Sequence, residues 1–447
     1  MNLYRMLSRR EKQGRPVRVG LIGAGKFGSM FLAQARFTPG MHILAVADLL
    51  PDRARQSMLR TGWDIERLDA ADCTQALTTG RTHITDDSEV LIAAGGLDVV
   101  IDATGHPASG IRHARLCREH GRHLVMVNVE ADALAGPLLA RQAEAAGLVY
   151  SLAYGDQPAL ICELIDWART SGLNVVAAGK GTMYLDEYRS STPDTVWQYY
   201  GLTADQAVAG GMNPQMFNSF LDGTKSAIEM AAVANATGLK VPPQGLTFPP
   251  CGVDDLATVL CPSELGGQLH LRGQVEVISS LNRDGTPVER DLRWGVFVVF
   301  EAPSDYAARC LGEYGLLTDA KGRISAMYKP FHLIGLELGI SVASVALRGE
   351  PTGSPTGFVA DVVAVAKRDL EVGNVLDGEG GFTVRGQLMP AAASLAAAAL
   401  PLGLAHGIGV ARPVRAEQRL CWDDVLVDPD DDTVRTRREM EAVFAPR

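Results

Sequence analysis

Residues 218–229 carry polar side chains inside an otherwise apolar stretch of the sequence. Four of them are separated by four, three and four positions, namely Asn218, Asp222, Lys225 and Glu229. If the stretch is one continuous helix, this spacing places them on one face. A lysine there can polarise a carbonyl or bind a phosphate, and a carboxylate can orient a substrate or hold a metal. The alternative is an ordinary solvated face of ion pairs.

The apolar neighbours of these residues favour a face that lines a cleft. We therefore take Lys225 and Asp222 as candidate catalytic residues, together with Lys180, which lies between two glycines after an apolar run. The candidate substrate-binding residues are Asn218, Ser219, Glu229, Tyr328, Lys329 and His332. Surface or packing roles are the alternative for the last three and for Lys180. No Cys/His spacing typical of zinc occurs, which argues against a structural zinc, and the ligands of a possible divalent metal stay unassigned.

A glycine-rich loop follows the apolar run at residues 17–22 and has the pattern GxGxxG, Gly23-Ala24-Gly25-Lys26-Phe27-Gly28. In a strand–loop–helix unit, Gly23 permits a tight turn and Gly25 lets the backbone approach a pyrophosphate. Gly28 permits close packing of the helix on the strand. The loop therefore predicts a dinucleotide site that includes Lys26 and Phe27. A glycine turn without a ligand is the alternative.

Asp48 lies twenty positions after Gly28, at the end of the second apolar run. A carboxylate in this position binds a ribose 2′-hydroxyl and favours NAD, whereas an arginine favours the 2′-phosphate of NADP. Arg53 lies close enough along the chain to reach such a phosphate. Asp48 could also simply cap the following loop or helix.

Two later apolar runs also end in polar residues, and carboxyl ends of parallel strands are where ligands bind. The first is followed by Thr104, Gly105 and His106, and the second by Asn128 and Glu130. We expect these five residues to border the nicotinamide half of the cofactor. A structural role in the loop is the alternative for His106.

These residues require a parallel sheet to position them. Short apolar runs at 17–22, 42–48, 97–103 and 123–128 alternate with helical stretches, which predicts a doubly wound Rossmann domain over residues 1–154. Residues 155–350 predict an α+β domain for substrate binding and oligomerisation, with a long helix at 216–235 and a hairpin formed by 274–281 and 292–301. Its last helix, 332–347, is expected to return to the Rossmann domain.

Turn-forming residues dominate positions 348–357 and predict a linker. The remainder, residues 356–447, is expected to form a small, mostly β domain. The fold class is therefore α/β, with a doubly wound sheet followed by an α+β domain and a small β domain.

Composition narrows the class of protein. The 447 residues are 47% hydrophobic and 21% charged, which is the balance of a folded globular chain. A net charge of −10 makes a nucleic-acid partner unlikely on electrostatic grounds, and we expect none. Seven cysteines without a CxxC pair argue against a disulfide framework and favour a cytoplasmic protein. We expect no signal peptide and no membrane span.

The segments 19–28 and 221–225 resemble homoserine-dehydrogenase-like oxidoreductases, and residues 366–381 resemble a SAF domain. Together they resemble the 1-deoxy-D-xylulose 5-phosphate reductoisomerase-like family. The resemblance implies NADPH-dependent conversion of 1-deoxy-D-xylulose 5-phosphate to 2-C-methyl-D-erythritol 4-phosphate in isoprenoid precursor synthesis. It implies a phosphorylated sugar as substrate, and Lys225 and Asp222 at the catalytic centre. NADPH is preferred on the resemblance, although Asp48 keeps NADH open.

Two other functions stay open. One is a homoserine-dehydrogenase-like NAD(P)-dependent dehydrogenase of another polyol, sugar acid or amino alcohol. The other is a nucleotide-bound sensor or binding protein without catalysis. For the enzyme we expect a homo-oligomer.

Overall fold

In the computed structural model, which describes residues 2–445, helices and strands alternate over the first third of the chain. They are α1 (Leu3–Lys12), β1 (Val17–Ile22), α2 (Lys26–Ala35), β2 (Met41–Ala47), α3 (Pro51–Arg60), α4 (Cys73–Thr79), β3 (His83–Thr85), α5 (Ser88–Ala93), β4 (Val99–Asp102), α6 (Pro107–Glu119), β5 (His123–Met126), α7 (Val129–Ala145) and β6 (Tyr150–Leu152). All six strands are parallel, in the order β3-β2-β1-β4-β5-β6. The predicted doubly wound Rossmann sheet is confirmed.

The middle of the chain forms a mixed sheet with helices around it. Its elements are α8 (Gln157–Thr170), β7 (Asn174–Thr182), α9 (Val196–Tyr200), α10 (Ala204–Ala209), α11 (Pro214–Leu221), α12 (Thr224–Thr237), α13 (Leu256–Val259), β8 (Gln274–Ser279), β9 (Val296–Glu301), α14 (Asp305–Glu313), β10 (Ile324–Lys329) and α15 (Gly339–Arg348). The strand order is β10-β9-β7-β8. The predicted hairpin is therefore wrong, because β7 lies between β8 and β9 and pairs with both.

Short strands dominate the last part of the chain, as predicted. The elements are β11 (Ala360–Ala366), β12 (Val375–Asp377), β13 (Val384–Pro390), α16 (Ala391–Ala396), β14 (His406–Val410), β15 (Val425–Leu426) and α17 (Asp432–Phe444). β11 pairs with β13, and β14 lies between β12 and β15 in a second small sheet. The resemblance of this part to a SAF domain stays a prediction.

Burial of apolar side chains explains where the chain divides. The core of the parallel sheet contains Val17, Val19 and Leu21 of β1, and it also contains Leu338 and Val342 from the segment of α15. One compact unit therefore combines the described residues up to Leu160 with His332–Thr356. The second unit combines Ile161–Phe331 with the described residues from Gly357 onward. The three-domain boundaries, 1–154, 155–350 and 356–447, stay a prediction.

Helix length and hydropathy decide whether a helix can cross a lipid bilayer. Within residues 2–445, every helix is too short or too polar to cross a membrane.

Candidate functional site

The glycine loop joins β1 to α2 and leaves open space at the start of the helix. Gly23 has φ +95°, and a Cβ there would lie 2.6 Å from the carbonyl oxygen of Ala103. A Cβ on Gly28 would lie 2.2 Å from the oxygen of Gly23. In contrast, a Cβ on Gly25 would have no atom within 4 Å. The exposed N-terminus of α2 is thus accessible to an anion, which fits the pyrophosphate of a dinucleotide.

The two residues between these glycines differ in exposure. Lys26 is exposed at the first position of α2, and Phe27 is half-buried against the core of the sheet. The sequence had placed both in the cofactor site, and their contacts with a cofactor stay a prediction.

The carboxylate of Asp48, which follows β2, already makes hydrogen bonds and an ion pair within the protein. It accepts hydrogen bonds from the N–H of Ala24 (2.9 Å) and of Leu50 (3.0 Å), and Arg53 Nη2 lies 2.9 Å from Oδ2. Burial alone would raise the pKa of the Asp48 carboxyl, but these donors hold the pKa below its ordinary value. Its side chain is 1% exposed, whereas that of Arg53 is 59% exposed. The exposed group at this edge is therefore the arginine.

The loops after β4 and β5 are joined by hydrogen bonds, while their predicted contact with the nicotinamide half of a cofactor stays a prediction. The side-chain amide of Asn128 donates to Thr104 Oγ1 (3.1 Å) and to the carbonyl of His106 (2.8 Å). Gly105, with φ +69°, lies between those two contacts. His106 Nδ1 also accepts from the N–H of Ser109 at the start of α6, so a structural role in the loop is supported. Glu130 is half-buried in the first turn of α7.

A buried chain of hydrogen bonds behind these loops was not predicted. Asp102 Oδ2 lies 2.6 Å from His113 Nδ1, and His113 Nε2 lies 2.9 Å from Ser88 Oγ. The other oxygen of Asp102 accepts from the hydroxyl of Thr104 at 2.7 Å. The network therefore holds the end of β4. Only the position of Asp102 after an apolar run pointed to it in the sequence.

In the second unit, residues 218–229 do not form one helix, and this prediction is wrong. α11 ends at Leu221, Gly223 adopts a left-handed conformation with φ +86°, and α12 begins at Thr224. A residue with a Cβ disfavours that conformation, so the glycine makes a sharp corner possible. The four polar side chains therefore do not share a single helical face.

Asn218 and Ser219 are buried before this corner. The amide of Asn218 donates to the carbonyls of Ser191 (3.0 Å) and Gly380 (2.8 Å), and the hydroxyl of Ser219 donates to Met216 (2.8 Å). These contacts hold α11 in place. Their predicted contacts with a substrate stay a prediction.

Two buried ion pairs lie on either side of the corner. Asp222 Oδ2 is 2.7 Å from Lys367 Nζ, and the two side chains are 0% and 2% exposed. Lys367 also donates to the carbonyls of Ser191 and Gly381. On β7, Lys180 pairs with Glu229 of α12. The sequence analysis named Lys180, Glu229 and Asp222, but it did not predict that the first two pair with each other. It missed Lys367, the partner of Asp222.

Lys225 differs from these two lysines in its surroundings. It is half-buried at the second position of α12, next to the corner at Gly223. Lys329 on β10 pairs with Glu163 at 2.5 Å, and its neighbour Tyr328 is 37% exposed. His332 belongs to the first unit, with the segment that leads to α15. A shared role of the six candidate residues in substrate binding stays a prediction.

A cleft lies in the second unit, and Asp222 lines it. Two arginines missed by sequence reasoning, Arg189 and Arg385, line the same cleft. Its aromatic wall is formed by Tyr184 and Phe248, whose ring centroids lie 3.8 Å apart in a stacked arrangement. No local sequence pattern indicated this cleft, since its residues come from separate parts of the chain.

A divalent metal does not fit the donor set. Across the part of the chain that the structure describes, no three His, Cys, Asp or Glu side chains are grouped so that they could hold a metal ion. We therefore assign no reaction step to a metal.

The strand order and the glycine loop define a protein of the Rossmann-fold class. Within that class, residues 155–338 match the family model described as "Oxidoreductase DRL, catalytic domain". The predicted oxidoreductase is confirmed at this level. The comparisons do not confirm the reductoisomerase-like family or its SAF domain. Comparison with curated proteins finds no match.

Several solved structures are similar in part. An oxidoreductase from Agrobacterium radiobacter, solved with NAD⁺, L-tartaric acid and magnesium, is 17% identical over 37% of this chain and 44% of that chain, with a TM-score of 0.27. A probable dehydrogenase from Thermotoga maritima is 12% identical over 75% and 90%, with a TM-score of 0.38. A Synechocystis biliverdin reductase, solved with biliverdin and NADP⁺, is 19% identical over 41% and 51%, with a TM-score of 0.25. The match thus spans less than half of the Agrobacterium protein.

Proposed function

We propose that this protein is an NAD(P)-dependent dehydrogenase or reductase of a small polar hydroxy or carbonyl compound. The observation that carries the proposal is the glycine loop between β1 and α2, where Gly25 leaves open space at the start of α2. The match of residues 155–338 to an oxidoreductase catalytic domain supports the same reading.

We propose NADPH as the preferred cofactor. The carboxylate of Asp48 is 1% exposed and already accepts three hydrogen bonds, so it offers little to a ribose hydroxyl. The guanidinium of Arg53 is the exposed group beside it and can pair with a 2′-phosphate.

The proposed chemistry uses lysines of the second unit. When bound, a reduced nicotinamide dinucleotide would donate a hydride to the substrate carbon, and an oxidised one would accept a hydride from it. In the reductive direction, the ammonium of Lys180 can give a proton to the oxygen of the carbonyl that becomes a hydroxyl, and Glu229 holds that ammonium in place. Lys225 is proposed to stabilise negative charge on the same oxygen. Asp222 positions the corner before α12 through Lys367.

Gly25→Val tests the proposed function at its strongest point. The added side chain meets no protein atom within 4 Å of its Cβ, so the fold should be kept while the dinucleotide is excluded. We expect loss of NADPH binding in calorimetry and an unchanged melting temperature. Gly95→Val is the matched control, because Gly95 also has no neighbour within 4 Å. Unchanged NADPH affinity in the Gly25→Val protein would overturn the proposal.

A substrate panel followed by nicotinamide absorbance then gives the finer activity. It should contain polyols, sugar acids, amino alcohols and 1-deoxy-D-xylulose 5-phosphate, the last because of the resemblance described above. Turnover of that ketose phosphate would establish the reductoisomerase activity. Tight cofactor binding without turnover of any member would instead favour a nucleotide-bound sensor.

We also propose that the enzyme is a homo-oligomer, as expected from the sequence. Light scattering tests this, since a monomer has a mass of 47.7 kDa.

A further inference from the structure

The cleft of the second unit has a cationic interior whose chemistry the proposed reaction does not use. Arg385 lies on β13 and its side chain is 10% exposed. Its Nη2 atom lies 2.6 Å from Glu417, while its buried Nε atom has no hydrogen-bond partner in the part of the chain that is described. A buried donor without a partner carries a desolvation cost, which a ligand that accepts the hydrogen bond removes.

A second guanidinium faces the same space. Arg189 lines the cleft, and its Nε donates to the hydroxyl of Tyr184 at 2.5 Å. The carboxylates that pair with the two arginines, Glu417 and Asp186, are 56% and 64% exposed. Water therefore screens the negative partners more strongly than it screens Arg385.

One residue in the wall of the cleft has an unfavourable backbone conformation. Phe248, which stacks on Tyr184, has φ +48°, a conformation that side chains other than glycine seldom adopt. Gly223 and Gly245 also have positive φ and line the same space. Such strain is retained where the surrounding structure requires a particular shape, and it clusters at ligand sites.

The charges around the cleft are nearly balanced. The carboxylate of Asp222 is paired with Lys367, and the guanidinium groups of Arg385 and Arg189 are paired with exposed carboxylates. The positive potential in the cleft therefore comes from the weaker screening of Arg385 by water and is small. It suits a singly charged carboxylate better than a phosphate monoester, which is largely a dianion at neutral pH because its second pKa is about 6.

We propose that this cleft binds the carboxylate of a small hydroxy or oxo acid, with Arg385 Nε and Arg189 as its donors. The proposal rests on the proposed function, since it names the class of substrate for that dehydrogenase. Planar, forked guanidinium groups suit a carboxylate because they present paired N–H donors in one plane.

The test is calorimetry of the full chain with NADPH, using probes matched in carbon skeleton. The acids are D-glycerate, D-xylonate and D-gluconate, the phosphates are glycerol 3-phosphate, xylitol 5-phosphate and sorbitol 6-phosphate, and the neutral polyols are glycerol, xylitol and sorbitol. We expect at least one acid to bind at least about tenfold more tightly than its phosphate and polyol counterparts. A preference for the phosphates, or binding of none of the acids, would overturn the proposal.

Arg385→Met locates the binding. It should weaken acid binding by at least about tenfold, while Arg412→Met, which changes an exposed arginine outside the cleft, should leave it unchanged. The unpaired Glu417 is more than half exposed, so the variant should fold, and its melting temperature checks this. Equal acid affinity in the folded Arg385→Met protein would refute the assignment to this cleft.

Gly25→Val separates the two proposals. It should bind the acid normally in the absence of NADPH if the cleft is the acid site. In the unaltered protein, acid binding without turnover with either oxidised or reduced cofactor would leave the cleft assignment standing and would refute the dehydrogenase. Turnover of an acid that does not depend on Arg385 would do the opposite.

Discussion

The glycine loop of the first unit and the cleft of the second differ in the chemical groups that form them. The loop uses consecutive residues, backbone N–H groups and an empty volume beside Gly25. The cleft uses charged side chains from β13, from the corner before α12 and from the segment after β7. Ligand binding at the glycine loop should therefore be lost when a side chain fills the empty volume. Ligand binding in the cleft should be lost when a charged side chain is removed.

The largest effect is expected from Lys367→Met. This change leaves the carboxylate of Asp222 buried without its cation, and breaking one side of a buried pair costs about 3–5 kcal/mol. Urea denaturation measures the loss in free energy of unfolding. The double variant Asp222→Asn/Lys367→Met should recover a large part of it, because no uncompensated charge remains. If the double variant is as unstable as Lys367→Met, the pair is not the cause.

The next effect concerns catalysis rather than stability. Lys225→Met should lower kcat/KM by about 10²-fold, the usual scale for one positioned electrostatic group. Lys321→Met, which changes an exposed lysine of the same unit, should keep normal kinetics. A normal rate for a folded Lys225→Met protein would remove Lys225 from the mechanism.

A smaller effect is expected at the first site, where side chains contribute less. Arg53→Ala should weaken NADPH binding by about tenfold, because it removes one charge-assisted contact with the 2′-phosphate. NADH affinity should change much less, since Asp48 keeps its bonds to the N–H groups of Ala24 and Leu50. Fluorescence titration with both cofactors measures the ratio. Equal losses for the two cofactors would contradict the assignment of Arg53.

The last comparison is between two buried acids, Asp222 with its lysine and Asp132 without a cation. Asp132 on α7 accepts a hydrogen bond from Tyr150, and burial raises its pKa to about 7. Its folded-state pKa is thus above its unfolded value, so its contribution to stability is present below about pH 4 and is lost as the pH rises towards 7. The Asp132→Asn protein should show a flatter dependence of unfolding free energy on pH between 4 and 7. An unchanged slope would show that Asp132 does not titrate in this range.

The sequence predicted the elements around the glycine loop more completely than those around the cleft, and the reason is physical. The tight turn at Gly23 and the ends of β1, β2, β4 and β5 follow from runs of apolar residues and from glycine positions. The hydrogen bonds of Asn128 to Thr104 and His106 join residues more than twenty positions apart, and they were not predicted. The hairpin failed because strand pairing is decided by non-local packing, and β7 inserted between two strands that are neighbours in sequence.

The second site depended on contacts that no local pattern encodes. Lys367 is distant from Asp222 in the sequence but pairs with it in the fold, and Arg385 lines the cleft from β13. The corner at Gly223 carried a signal, since a glycine within a helical pattern can mark a break. The continuous apolar pattern on both sides outweighed it in the prediction.

The return of α15 to the first unit has a consequence for the order in which the chain can fold during synthesis. Leu338 and Val342 belong to the core of the parallel sheet, but the ribosome makes them only after the whole of Ile161–Phe331. The second unit is also incomplete at that moment, because the hydrogen bond from Gly386 to Thr224 and the two between Asn235 and Ala360 of β11 form later still. Neither unit can therefore finish before the other has been largely synthesised, and release of a chain that ends before Leu338 would expose both cores at once.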